Sequence, residues 1–341
     1  MYIEKVRALE ILDSRGNPTV LSEVITSGGF KGVAAAPSGA STGTYEAFEL
    51  RDNEERYGGK GVQRAVENVN SIINDILSGE DVTNQKRIDR LLTEADGTEN
   101  KSRLGANAII SVSMACVKAA ADFYGLEPYK YLGGIQATQM PLPMMNILNG
   151  GAHAANNLDV QEFMIIPSGA ESFSEGLRMC AEVYHRLKKT LAKNNYMTGV
   201  GDEGGFAPNL SGETEALELI IEAIEKSNYK AGSDINIGLD AAANEWFNDG
   251  GYLLPKKGRE YSSSELVSYW QKLINNYPII SLEDPFGEDD WDAWSELNKN
   301  TKIQLVGDDL YVTNYNRLIT GIEKKSSNAI LIKPNQTRTI S

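Results

Sequence analysis

The apolar positions of Val6 to Ile11 and of Thr19 to Thr26 read as two strands joined by Asp13-Ser14-Arg15-Gly16-Asn17-Pro18, residues that tolerate a tight turn. A third strand, Phe30 to Ala36, runs into the small residues Pro37 to Gly43, a stretch that serves as an ordinary surface loop or as a lid. From Val62 to Leu77 the apolar residues Val62, Ala65, Val66, Val69, Ile72, Ile73, Ile76 and Leu77 form one stripe, which predicts a helix ended by Gly79. The segment from Asn107 to Tyr124 is apolar on most sides and stops at Gly125, the pattern of a helix buried at the centre of its domain. A boundary at Gly133-Gly134 divides the chain into an N-terminal α+β domain, 1–134, and a second domain, 135–341.

In the second domain, Pro141 to Leu148 and Asp159 to Ile166 are strands linked by about ten residues without helical pattern, so an antiparallel pair is expected. A helix opened by the capping pattern Ser172-x-x-Glu175 and another at Glu213 to Glu225 follow. Then three short apolar runs each end in an acid, at Asp240, Glu283 and Asp308, and a fourth, Ala329 to Ile332, ends in Lys333. Helical pattern separates them, one helix opening with Ser262-x-x-Glu265. This alternation predicts βα units of a parallel barrel, with the polar residues at the C-terminal mouth where such barrels do chemistry. Each acid taken alone could cap the following helix; three in register with a lysine point instead to a site for a hard cation such as Mg²⁺.

Charge narrows the partners. A formal net charge of -14 over 341 residues disfavours nucleic acid and anionic lipid, and an anionic substrate then needs locally recruited cations. No uninterrupted apolar run approaches the ~18 residues of a membrane span, and the first residues lack a signal peptide's order. Only Cys116 and Cys180 are present, both in apolar helical contexts, which fits buried free thiols and a cytoplasmic protein.

Two segments are richer in acids and glycine than turns or strands require: Gly201-Asp202-Glu203-Gly204-Gly205-Phe206-Ala207-Pro208 and Gln161-Glu162-Phe163-Met164. With Asp13 to Thr19, Ser38 to Gly43, Ser281 to Pro285, Gly307 to Leu310 and Ile332 to Gln336, they make the chain resemble the enolases (phosphopyruvate hydratases) from its first residues to Gln336. The resemblance implies a cap domain and a barrel in the order ββαα(βα)n. It also implies a glycolytic lyase that reversibly dehydrates 2-phosphoglycerate to phosphoenolpyruvate with two Mg²⁺ ions. Asp240, Glu283 and Asp308 match the ligands of the first ion, and Ser41, on the loop expected to close, matches a ligand of the second. Lys333 matches the general base, whose neutral form nearby cations would favour. Glu203 matches the general acid, with Glu162 beside it, and Glu162, Gln161, His153 and Lys333 match substrate-contacting positions. A homodimer, or higher homo-oligomer, is the implied assembly.

The family pattern continues beyond Lys333 with a Ser-His-Arg-Ser-Gly and a Lys-Thr-Gly segment that grip phosphate and carboxylate, and neither occurs here. About 200 residues follow Pro141, short of the roughly 250 of a full (βα)₈ barrel. A barrel lacking its last two βα units is therefore expected, and with it a competing role as a non-catalytic binding or assembly protein.

Overall fold

The computed structural model describes residues 1–39, 43–201, 203–248, 250–337 and 339–341. They form two compact units, Met1–Gln139 with Ile332–Ser341, and Met140–Leu331.

In the first unit β1 (Ile3–Leu12), β2 (Pro18–Thr26) and β3 (Lys31–Ala35) form an antiparallel sheet in that order. The β1–β2 turn is set by the Asp13 carboxylate, which accepts from the N–H groups of Arg15 (2.8 Å) and Asn17 (2.9 Å). The stripe from Val62 to Leu77 is helical with one departure from expectation. Between α1 (Gln63–Asn68) and α2 (Asn74–Leu77) lies a π-helical turn, Val69–Ile73. That wider turn keeps Val69 and Ile73 in the core, and Asn70 and Asn74 lie at the sheet. The N–H of Ala8 donates to Asn70 Oδ1 at 2.8 Å, Asn70 Nδ2 donates back to the Ala8 carbonyl at 3.2 Å, and Val6 N–H donates to Asn74 Oδ1 at 3.0 Å.

Next come α3 (Gln85–Asp96), α4 (Ala106–Tyr124) and α5 (Pro128–Gly133). Among the described residues α4 is the one helix long and apolar enough to cross a membrane, but it is the core helix of this unit and is buried over most of its length. It lies so close to β3 that a Cβ on Gly32 would sit 1.9 Å from the Ala115 carbonyl oxygen. The tail Ile332–Ser341, which the sequence reading assigns to the second domain, groups with this unit. Its Ile340 N–H donates to Ser113 Oγ (3.1 Å), and its Ser341 N–H donates to Asp89 Oδ2 (2.9 Å).

The second unit opens with β4 (Met145–Asn149) and β5 (Glu162–Ile166), followed by α6 (Phe173–Lys193) and α7 (Glu213–Glu225). β6 (Asn236–Asp240) is followed by a small sheet of β7 (Phe247–Asn248), β8 (Gly251–Leu254) and β9 (Arg259–Tyr261), which the hydrophobic pattern did not announce. Alternation then sets in: α8 (Ser263–Asn276), β10 (Ile279–Glu283), α9 (Trp291–Asn300), β11 (Gln304–Gly307), α10 (Tyr315–Lys324) and β12 (Ala329–Ile330). Ser262 and Glu265 make both halves of the capping box that opens α8.

The main sheet runs β12-β11-β10-β6-β5-β4. β6, β10, β11 and β12 are parallel, whereas β5 is antiparallel to both of its neighbours. This is the expected ββαα(βα)n order. Every residue of β6 is buried, as in a strand covered on both faces. Cys116 and Cys180 are both buried and free, and burial pushes the Cys180 thiol up to about 12.

Gly32→Ala should destabilise the first unit by about 1–3 kcal/mol, because the clash is with helix backbone, which cannot swing aside. A fall in the urea midpoint followed by circular dichroism checks this; an unchanged midpoint would show that α4 can shift.

Candidate active site

Strand register places the acidic side chains of the second unit. Glu162 of β5 lies directly opposite Asp240 of β6, and Asp240 pairs in turn with Glu283 of β10, so three carboxylates form one row on one face across three strands. On the far side of Glu162 the row continues to Asn149 of β4. On the far side of Glu283 it continues to Val306 of β11, with Asp308 two residues beyond. Asp240 and Asp308 are buried, and Glu162 and Glu283 are half-buried.

The carboxylates fall into two groups. Oxygens of Asp240, Glu283 and Asp284 lie within 4.8 Å of one another, and so do those of Asp284, Asp308 and Asp309. Asp308 thus clusters with Asp284 and Asp309, and Asp284 joins the two groups. The buried Asp284 carboxylate accepts N–H bonds from Asp308 (3.0 Å) and Asp309 (2.8 Å), tying the end of β10 to the end of β11. Burial, and then the charges of Asp309, Asp308 and Asp240, hold its proton affinity well above the usual carboxylate range. Such an all-oxygen, mutually repelling donor set fits a hard divalent cation, whose charge would offset the repulsion.

The turns that carry these acids are fixed from behind. Trp270 Nε1 donates to the Pro285 carbonyl at 3.0 Å and Trp294 Nε1 to the Gly287 carbonyl at 3.2 Å. Past each strand end the chain enters the left-handed region at a non-glycine residue: Ala242 (φ 46°), Asp284 (φ 41°), and Val312 and Thr313 (φ 43° and 51°). Strain of this kind persists only where surrounding contacts enforce it.

A second cluster adjoins Glu162. Ligand atoms of His153, Glu162 and Glu203 lie within 4.8 Å of one another, and His153 Nδ1 is 3.1 Å from Glu203 Oε2. Gln161 bridges the clusters, its Nε2 donating to Asp240 Oδ2 at 3.2 Å. The Glu203 loop is held against β4 by Asn149, whose Oδ1 accepts from Gly205 N–H at 2.8 Å. A Cβ on Gly205 would meet that same oxygen at 2.7 Å, so only glycine allows the approach.

The second unit therefore brings together His153, Gln161, Glu162, Glu203, Asp240, Glu283 and Asp308 from the sequence-predicted set. Lys333 is half-buried just past β12, in the tail that groups with the first unit. Ser41, with Ala40 and Thr42 of the expected lid, and Asp202 of the glycine-rich motif lie outside the described residues. Asp284 and Asp309 lie within the motifs Ser281 to Pro285 and Gly307 to Leu310, whose sequence pattern assigns them no role. The signal at Asp284 is an acid between a strand-end Glu and a proline, where a helix cap is not needed.

Two family models match the chain: "Enolase, N-terminal domain" over residues 3–132 and "Enolase, C-terminal TIM barrel domain" over residues 137–341.

Asp240→Ala should weaken Mg²⁺ binding at least about tenfold in calorimetric titration, since water replaces a charged oxygen ligand poorly. Asp284→Ala should lose roughly 10–100-fold by releasing the Asp308 and Asp309 main chain. Wild-type affinity in Asp240→Ala would sink the assignment of the cation to this row.

Proposed function

Since the chain belongs to the enolase family, whose two domain models together span most of it, we propose that this lyase reversibly dehydrates 2-phosphoglycerate to phosphoenolpyruvate. The reading rests on one observation: a carboxylate row, Glu162-Asp240-Glu283, flanked on one side by the Glu203–His153 pair and on the other by Asp308. Enolases typically depend on Mg²⁺. In this reading Asp240, Glu283 and Asp308 hold a first ion and Ser41 reaches a second, and the ions supply positive charge for the anion that proton loss creates.

The chain's own groups divide the proton transfers. Lys333 takes the proton α to the substrate carboxylate. Glu203, whose Oε2 lies 3.1 Å from His153 Nδ1, delivers a proton to the departing hydroxyl, with Glu162 in the same cluster. Gln161 keeps Asp240 oriented through its 3.2 Å bond and contacts substrate together with His153. A protein of charge -14 acting on an anionic small molecule in the cytoplasm as a homo-oligomer, without nucleic acid, completes the reading.

A non-catalytic binding or assembly role is the competing reading.

Lys333→Ala should abolish exchange of the substrate α-proton with deuterium, followed by NMR in heavy water. Glu203→Gln should retain that exchange while phosphoenolpyruvate formation, read by absorbance, falls by roughly 10²–10⁴-fold. Neither exchange nor turnover in the unaltered chain would decide for the non-catalytic reading.

A further inference from the structure

The small sheet β7-β8-β9 belongs to no motif that the sequence analysis singled out, yet the turn after β8 reaches the loop that carries His153. Lys256 Nζ donates to the carbonyls of Gly151 (2.5 Å) and Ala154 (2.8 Å) and to Asn156 Oδ1 (3.4 Å). The Lys256 backbone N–H donates to Asp159 Oδ1 at 2.8 Å. One residue thus brackets the segment from 151 to 159, and the two carbonyls it gathers flank His153 in sequence.

The same loop has little regular structure of its own. It contains one 3₁₀ turn, Gly151–His153, entered through two glycines, so its conformation must be imposed by contacts from outside. Asn156 passes the restraint onward, its Nδ2 donating to the carbonyls of Asn149 (2.8 Å) and Pro208 (3.1 Å). Asn149 is the residue that anchors Gly205, and Pro208 closes the Glu203 segment. Lys256 is therefore connected to both partners of the His153–Glu203 pair.

Its environment makes the restraint strong. Burial disfavours the Lys256 charge, with the Asp159 carboxylate acting in the opposite sense. Asp159 is itself buried, and its Oδ2 has no hydrogen-bond partner among the described residues. A partly desolvated ammonium forms charge-assisted bonds to carbonyls that are worth more than they would be in water. The neighbouring Lys257 makes none of these bonds and pairs with Glu213 of α7, whose other oxygen accepts from Asp159 N–H at 3.3 Å.

We propose that Lys256 is a positioning residue whose ammonium gathers the 151–156 loop and so sets His153 against Glu203. The catalytic part of this proposal rests on the assignment of His153 and Glu203 to the active site; the restraint itself does not.

Hydrogen exchange of the 341-residue protein, read by mass spectrometry over peptides spanning 150–158, separates the two. Lys256→Met should speed exchange there by about tenfold or more while peptides of β5 and β6 hold their rates. Lys256→Arg, which keeps the charge and donors, should restore most of the protection. Lys257→Met removes the ion pair to Glu213 but keeps every Lys256 bond, so it should loosen the loop far less than Lys256→Met does. In the enolase assay Lys256→Met should lower kcat/KM by about tenfold or more, with the thermal midpoint near wild type and with recovery in Lys256→Arg. Unchanged loop exchange in Lys256→Met, or equal loosening in Lys257→Met, would overturn the proposal. So would a loosened loop with undiminished turnover. If Lys256→Met fails to fold, Lys256→Gln takes its place under the same criteria. Faster loop exchange in a protein whose wild type shows no turnover would count against the proposed reaction and in favour of the restraint.

Discussion

Repulsion among carboxylates is the constraint that the second unit answers. Asp240, Glu283, Asp284, Asp308 and Asp309 crowd the ends of three adjacent strands, and like charges at such range destabilise one another unless protonation or a cation intervenes. Neutral N–H groups help to hold them there. Backbone N–H groups of Asp308 and Asp309 turn inward to Asp284, and indole N–H groups of Trp270 and Trp294 hold the turn that follows. Both tryptophans are fully buried. The turn after Glu283 is thereby tied to the hydrophobic core.

Reversing one strand concentrates the chemistry. Because β5 runs antiparallel to β4 and β6, its first residue, Glu162, meets the last residues of both, Asn149 and Asp240. The connection from Asn149 to Glu162 then lies at the same end of the sheet as the acids. A single hairpin supplies His153, Gln161 and Glu162, where a parallel βα unit would supply one loop and send the chain to the far end. The all-buried β6 beside it gives this hairpin a rigid edge against which its register cannot slip.

Much of this was legible in the chain. The acids at the ends of apolar runs, the two capping patterns and the helix-free link before Asp159 all correspond to local rules, and the structure follows them. What was not legible depends on distant contacts. The π turn at Val69–Ile73 accompanies the bonding of Asn70 and Asn74 to β1, and the stripe of apolar residues around it reads the same with or without the extra residue. The β7-β8-β9 sheet is made of strands two to four residues long, too short for periodicity to register. Lys256 in its turn looks like any surface lysine until the carbonyls of a loop about 100 residues earlier are placed around it. Asp284 was hidden differently, because an acid next to a better-placed acid appears redundant until its backbone partners are known.

Asn70 in that π turn and Asn74 just after it have a further effect. β1 is the outer strand of its sheet, with β2 on one side and, among the described residues, no strand on the other. An exposed strand edge is a template on which another chain can add hydrogen bonds, and edges of this kind drive aggregation. Here the Asn70 amide occupies both the N–H and the carbonyl of Ala8, and the Asn74 carbonyl oxygen takes the N–H of Val6. Two side chains from the helical stretch thus take the positions at Val6 and Ala8 that a further strand would use, so this part of the border is covered within the chain itself.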